Sequence, residues 1–213
     1  DHTLWDPILE ELLKHFYVVR YDTRGHGGSD APTGDYTLNE LTDDVQAVIA
    51  AARLTKYDFC GISLGGMTGM ELAARRPPGL RRLILSNTGA EFPAGTWDQR
   101  ITAIKQGGMA AVIDGILGRF FTSEFVAKNS IDLQRVRNTV LTGAPQGYIG
   151  CCAAIRDMEL YPRLSQIQVP TLVIVGDFDQ STPLARGQAL VERIKGAKLA
   201  TLPCAHIPPT EIP

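Results

Sequence analysis

Ser63 stands in the run Gly61-Ile62-Ser63-Leu64-Gly65, directly after the β-prone apolar stretch Tyr57–Cys60 and directly before a glycine-rich helix start. A serine at a very tight strand-to-helix turn is forced into strained backbone geometry, and its hydroxyl is lifted above the sheet. That context is what makes G-x-S-x-G a nucleophile signature. Such a turn requires neighbours without bulky side chains on both sides. The helix that follows aims its first N–H groups, and the positive end of its dipole, at negative charge developing there. The structural alternative is a plain glycine turn, but the motif seldom falls at a strand–helix junction by chance.

A serine hydroxyl at neutral pH needs a base. His2 and His15 flank the first helical stretch and read as solvated surface residues. His26 lies in the glycine-rich loop "YDTRGHGGSD", and His206 lies in "LPCAH", just past the last β-like run. His206 is favoured over His26 because the chain order nucleophile, acid, base puts the histidine last. The acid should follow a strand between Ser63 and His206. "VIVGDFDQSTP" offers Asp177 and Asp179, whereas the loop after "RLILS" begins Asn87-Thr88 and carries no acid there. Asp179 is favoured over Asp177, since the extra loop residues help a carboxylate turn towards His206; the other member of the pair would cap the following turn.

These residues need a scaffold. Short apolar runs at Phe16–Tyr21, Tyr57–Cys60, Arg82–Ser86, Thr171–Val175 and Lys198–Leu202 alternate with helical patterns. Several are nearly continuous in apolar character, as strands buried on both faces of a parallel sheet are. Thr37 and Glu40 spell a capping box, followed by the stripe Leu38, Leu41, Val45, Val48 and Ile49. The helix after Ser63 must stop before Pro77-Pro78. The pattern predicts an α/β fold with parallel strands. Residues 92–160 break the alternation with helical and loop-like text, so the expected organisation is a core of 1–91 and 161–213 with a helical cap inserted at 92–160. A cap there would cover the C-terminal ends of the strands, where open α/β sheets bind ligands.

A 213-residue chain with 44% hydrophobic residues can bury one sizeable core. Its net charge of −2 and pI of about 6.1 give no sign of a nucleic-acid or anionic-membrane partner. No membrane span or signal peptide is legible in these residues. Cys60, Cys151, Cys152 and Cys204 fit no zinc spacing, and reduced thiols in a cytoplasmic protein are expected.

"YDTRGHGGSD", "GISLGG", "GDFDQSTP" and "PCAH", in that order and interrupted by a helical stretch, resemble the α/β-hydrolase superfamily over nearly the whole chain. Within it, "GYIGCCAAIRDMEL" (147–160), "RYDTRGHGGS" and "LILSNTGAEF" are similar to the 3-oxoadipate enol-lactonases, which open an enol-lactone in the β-ketoadipate route of aromatic degradation. The resemblance implies a small-molecule lactone or ester as substrate and a serine mechanism without metal or cofactor. Ser63 would attack, His206 held by Asp179 would carry the proton, and the Leu64 N–H would stabilise the oxyanion. A substrate carboxylate asks for a cation, and Arg156 and Arg24 are the candidates. Against that role, Arg156 could pair with Asp157 or Glu159 and pin the cap to the core. A general carboxylesterase or lactonase, or a perhydrolase, would use the same triad, and the fold also serves as a receptor with vestigial catalysis. Haloalkane dehalogenases and epoxide hydrolases carry Asp where Ser63 stands.

The resemblance also implies an eight-stranded sheet whose third strand lies between the fourth and fifth. Phe16–Tyr21 would be the fourth and Tyr57–Cys60 the fifth, so the strand between them, the N-terminal strands generally and the C-terminal helix are expected to be missing from this sequence. The two runs should then stand roughly 9–10 Å apart. A gap of that kind leaves backbone groups unpaired at on the order of 1–3 kcal/mol each. The expectation is a piece of a longer chain, unstable alone and lacking the second oxyanion donor.

Overall fold

The structure, a computed structural model, describes residues 1–213. Four strands form its sheet: β1 (Tyr57–Ile62), β2 (Leu80–Ser86), β3 (Thr171–Gly176) and β4 (Lys198–Leu202). They lie in sequence order and are parallel throughout, with Phe59 opposite Leu83, Leu83 opposite Thr171, and Val173 opposite Leu199. Each begins or ends within two residues of its run in the sequence, because the apolar run is what the sheet buries.

The first helices are α1 (Asp6–Leu13), preceded by a short 3-10 turn, and α2 (Leu38–Ala51). At the start of α2 the Thr37 side chain accepts from the Glu40 N–H, and the Glu40 carboxylate accepts from the Thr37 N–H, closing the capping box. The helix after Ser63, α3 (Leu64–Ala74), ends before Pro77. Leu83, Leu85, Val173 and Val175 face α3 and α9 (Leu184–Arg193) and are almost fully buried. The opposite sheet face is covered only at its C-terminal end, where Ile62 and Ile207 cluster with Leu4 and Trp5.

Phe16–Tyr21 departs from its reading as a strand. The segment joins no ladder, and Phe16 and Tyr17 are 53% and 83% exposed. β-prone residues form a strand only against a partner, and here a cavity lies between this segment and Tyr57–Cys60. No closed ladder joins the two.

Between β2 and β3 the chain runs through α4 (Ala94–Gly107), α5 (Ile113–Phe120), α6 (Ser123–Lys128), α7 (Ile131–Thr142) and α8 (Pro145–Arg156). Helix α8 rests on the glycine-rich loop through a backbone-to-backbone contact. A Cβ on Gly25 would stand 2.5 Å from the Gly147 Cα, and one on Gly147 would stand 2.2 Å from the Gly25 carbonyl oxygen. No side chain fits at either position, so the loop and the helix can meet this closely only through glycine. After β4 the chain ends in the short helix α10 (Pro208–Glu211). No helix is long and apolar enough to cross a membrane, and all four cysteines are free.

Candidate active site

Ser63 is the residue between β1 and α3, with φ 53° and ψ −117°. A non-glycine residue in that region costs on the order of 1–3 kcal/mol and persists only where the surroundings enforce it. The enforcement is visible on both sides. The Ser63 N–H donates to the Ser86 carbonyl at 3.0 Å, and the Thr88 hydroxyl donates to the Ser63 carbonyl at 2.7 Å. A Cβ on Gly61 would meet the Gly65 carbonyl oxygen at 2.2 Å, and one on Gly66 would meet the Thr88 side chain at 2.7 Å. Gly65 has open space around it. The small-residue demand of the turn therefore falls on Gly61 and Gly66. Leu64 is the first residue of α3, so its N–H has no acceptor within the helix.

His206 follows β4, and its Nδ1 lies 2.7 Å from Asp179 Oδ2. Both residues are buried, His206 at 2% and Asp179 at 4% exposure. Asp177 is exposed, and its N–H donates to the Leu202 carbonyl at the strand end. Burial works to raise the Asp179 pKa. Bonds from His206 and Thr182 outweigh it and hold the carboxyl well below the usual carboxylate range. Asp179 Oδ1 accepts from the N–H groups of Ser181 and Thr182, and Oδ2 accepts from the Thr182 hydroxyl as well. With its acceptor sites filled, the carboxylate is fixed, and it fixes the histidine ring in turn. Ser63 and His206 line one cavity of about 1760 Å³. No hydrogen bond joins them here, and bonds of this kind commonly tighten once substrate is seated. His26 lines the same cavity, but its Nδ1 meets the Arg24 carbonyl at 3.3 Å and not a carboxylate. His2 pairs with Asp22, and His15 lies beside Glu11.

Three residues that no motif marked hold this pair. Asn87 is fully buried with φ 47°, and its amide donates to Asp179 Oδ2 at 3.0 Å and to the Ala205 carbonyl at 2.9 Å. It ties Asp179 to the loop that carries His206. Glu211 accepts from the Ala205 N–H at 2.7 Å and from the Thr122 N–H at 2.9 Å, joining that loop to the inserted helices. The Phe120 carbonyl accepts the His206 N–H at 3.0 Å, and the two rings lie 5.2 Å apart. Asn87→Ala removes a donor to a buried carboxylate, so it is expected to cost on the order of 1.5–3 kcal/mol in urea denaturation. As a positioning residue it should also lower kcat while KM stays close to wild type. A fall in stability with kcat intact would leave Asn87 with a structural role alone.

Both arginines named from sequence are already paired. Arg24 makes a two-pronged bond to Asp44, at 2.8 and 2.7 Å. Arg156 is surrounded by Asp157, Asp35 and Asp98 at 2.6, 3.0 and 3.3 Å. Neither lines the cavity. Their charges are already matched, and Arg156 pins α8 to the Asp35 loop. Arg100 on α4 and Arg119 on α5 do stand in the wall of the cavity that Ser63 also lines. Neither could be singled out from sequence, because only the packing of the inserted helices decides which side chains face the cavity.

Comparison with known proteins matches residues 1–211 to a family model described as the alpha/beta hydrolase fold. The chain is 32% identical over 212 residues to 3-oxoadipate enol-lactonase 2 of Acinetobacter baylyi, covering 99% of this chain and 79% of that protein. Among solved structures, a hydrolase from Pseudomonas aeruginosa PA01 superposes with a TM-score of 0.96 at 39% identity, over 100% of this chain and 81% of the other. The enol-lactonase of Burkholderia xenovorans LB400 does so with a TM-score of 0.95 at 38% identity, over 98% and 80%.

Proposed function

The chain belongs to the alpha/beta hydrolase fold family, and on that footing we propose that it is a serine hydrolase opening an enol-lactone of the 3-oxoadipate type. The observation that carries the chemistry is the buried His206–Asp179 pair, 2.7 Å apart, whose histidine lines the same cavity as a strained Ser63. The choice of lactone is supported by the similarity to proteins described as enol-lactonases.

In the proposed reaction His206 Nε2 takes the Ser63 proton as Oγ bonds to the lactone carbonyl carbon. Asp179 holds Nδ1 and stabilises the imidazolium. The carbonyl oxygen, now negative, is met by the Leu64 N–H at the head of α3. As the intermediate collapses, the bond from the acyl carbon to the ring oxygen breaks, and the released enolate takes the proton from His206 and becomes a ketone. An enol is a good leaving group, so this step asks little of the acid. A water then gives its proton to His206 and attacks the acyl carbon. The bond to Oγ breaks, and Ser63 recovers its proton. His206 and Asp179 act in both halves.

Turnover of 3-oxoadipate enol-lactone, set beside a neutral nitrophenyl ester and the same ester with peroxide, tests the assignment. The lactone is expected to have the highest kcat/KM. A clear preference for the neutral ester would move the reading to a general esterase, and a preference for peroxide as acceptor would move it to a perhydrolase.

A further inference from the structure

We infer that Arg100 and Arg119 form an anion site in the wall of the inserted helices, and that the protein selects esters and lactones bearing a free carboxylate a short distance from the scissile carbonyl. The inference rests on the ester-hydrolysis reading and adds the feature that chooses among esters.

The two guanidiniums come from different helices and share the cavity with Ser63 and His206. Neither is matched by a carboxylate. Arg100 lies over the Trp97 ring, 4.7 Å from its centroid, with Nη1 3.5 Å from the Tyr148 hydroxyl. Arg119 is partly buried and folds back over the previous turn of α5, where a Cβ added to Gly115 would stand 3.4 Å from its Nη1. Its pKa is lowered, by burial first and then by the charge of Arg100. The rest of the cavity's guanidiniums are occupied or exposed. Arg20 and Arg81 pair with Asp6 and Asp58, Arg186 donates to the Glu91 carbonyl, and Arg53 and Arg82 are exposed.

Two like charges held together in a partly buried wall repel, and they gain most when an anion settles between them. A guanidinium's fork of N–H groups matches the two oxygens of a carboxylate. Burial pushes the Tyr148 pKa up, so its hydroxyl keeps its proton and adds a donor. Trp97, Phe120 and Ile155 line the same cavity, apolar surface suited to a short aliphatic tail. A neutral ester leaves both cations without a counter-charge.

The test compares 4-nitrophenyl hemiglutarate with a neutral nitrophenyl ester of equal length, in wild type, Arg100→Gln, Arg119→Gln and the double variant. The ratio of kcat/KM, charged over neutral, is expected to fall about 10–100-fold in each single variant and further in the double, as the loss of charge-assisted bonds implies. Arg119→Lys, which keeps the charge but not the fork, should recover part of it. Calorimetric titration of glutarate into Ser63→Ala protein, with and without the arginine substitutions, reads the site without turnover. A ratio that holds within about threefold in the double variant, with glutarate binding unaltered, overturns the anion site. Inorganic phosphate binding more tightly than glutarate overturns the choice of carboxylate. A ratio that falls as expected in a protein inert toward enol-lactone keeps the site and removes the enol-lactone assignment.

Discussion

Ser63→Ala is expected to lower kcat on the best ester substrate by about 10⁶, the scale seen when the nucleophile of a serine protease is removed. The size follows from what stays behind. The Leu64 N–H, the cavity and the His206–Asp179 pair remain in place, but no group can take up the acyl carbon, and water must attack unaided. Wild-type protein treated with a fluorophosphonate should gain one phosphonyl group, at Ser63. The alanine variant should gain none. Labelling that proceeds unchanged in Ser63→Ala would remove Ser63 from the reaction and leave its strained φ of 53° a matter of folding alone.

Asp179→Asn is expected to lower kcat by about 10⁴, as the equivalent change does in the serine-protease example. The amide is nearly the same size, but it cannot accept from Nδ1 while also stabilising an imidazolium, and the ring can adopt the unproductive tautomer. Asp177→Asn should leave the rate near wild type, since Asp177 is exposed and bonded only through its backbone. A large loss from Asp177→Asn with little from Asp179→Asn would reverse the assignment. The same variant carries a pH signature. The Asp179 carboxyl has a lower pKa folded than unfolded, so it stabilises the fold above the ordinary aspartate value of about 3.9. That contribution is lost as pH falls into the acid range. In urea denaturation, wild type should therefore lose more stability than Asp179→Asn between neutral and acid pH.

The parts of the site legible in sequence are those set by local geometry. Ser63, Asp179 and His206 each follow a β-prone run, and parallel strands deliver such loops to one edge of the sheet. The Thr37–Glu40 cap was legible for the same reason, its two bonds spanning three residues. What depends on distant packing was not legible. The pairing of Arg156 with its neighbour Asp157 was legible, but its bond to Asp35 and that of Arg24 to Asp44 span 121 and 20 positions and were not. Asn87 was noticed only as a place without an acid, although its two side-chain bonds span 92 and 118 positions. Phe16–Tyr21 has the composition of a strand, but a ladder needs a neighbour that composition does not supply.

The bond from His206 N–H to the Phe120 carbonyl bears on how this protein can diverge. Most of the insertion between β2 and β3 lies apart from the segments that carry Ser63, Asp179 and His206. Drift there can alter substrate range while the chemistry persists. The end of α5 is different, because Arg119 faces the cavity and Phe120, the next residue, holds His206. A lineage that rebuilds this turn to accept a new substrate must also rebuild the support of His206. New specificities should therefore arise more readily by replacement along α4 and α8, which also line the cavity, with the Arg119–Phe120 turn changing last.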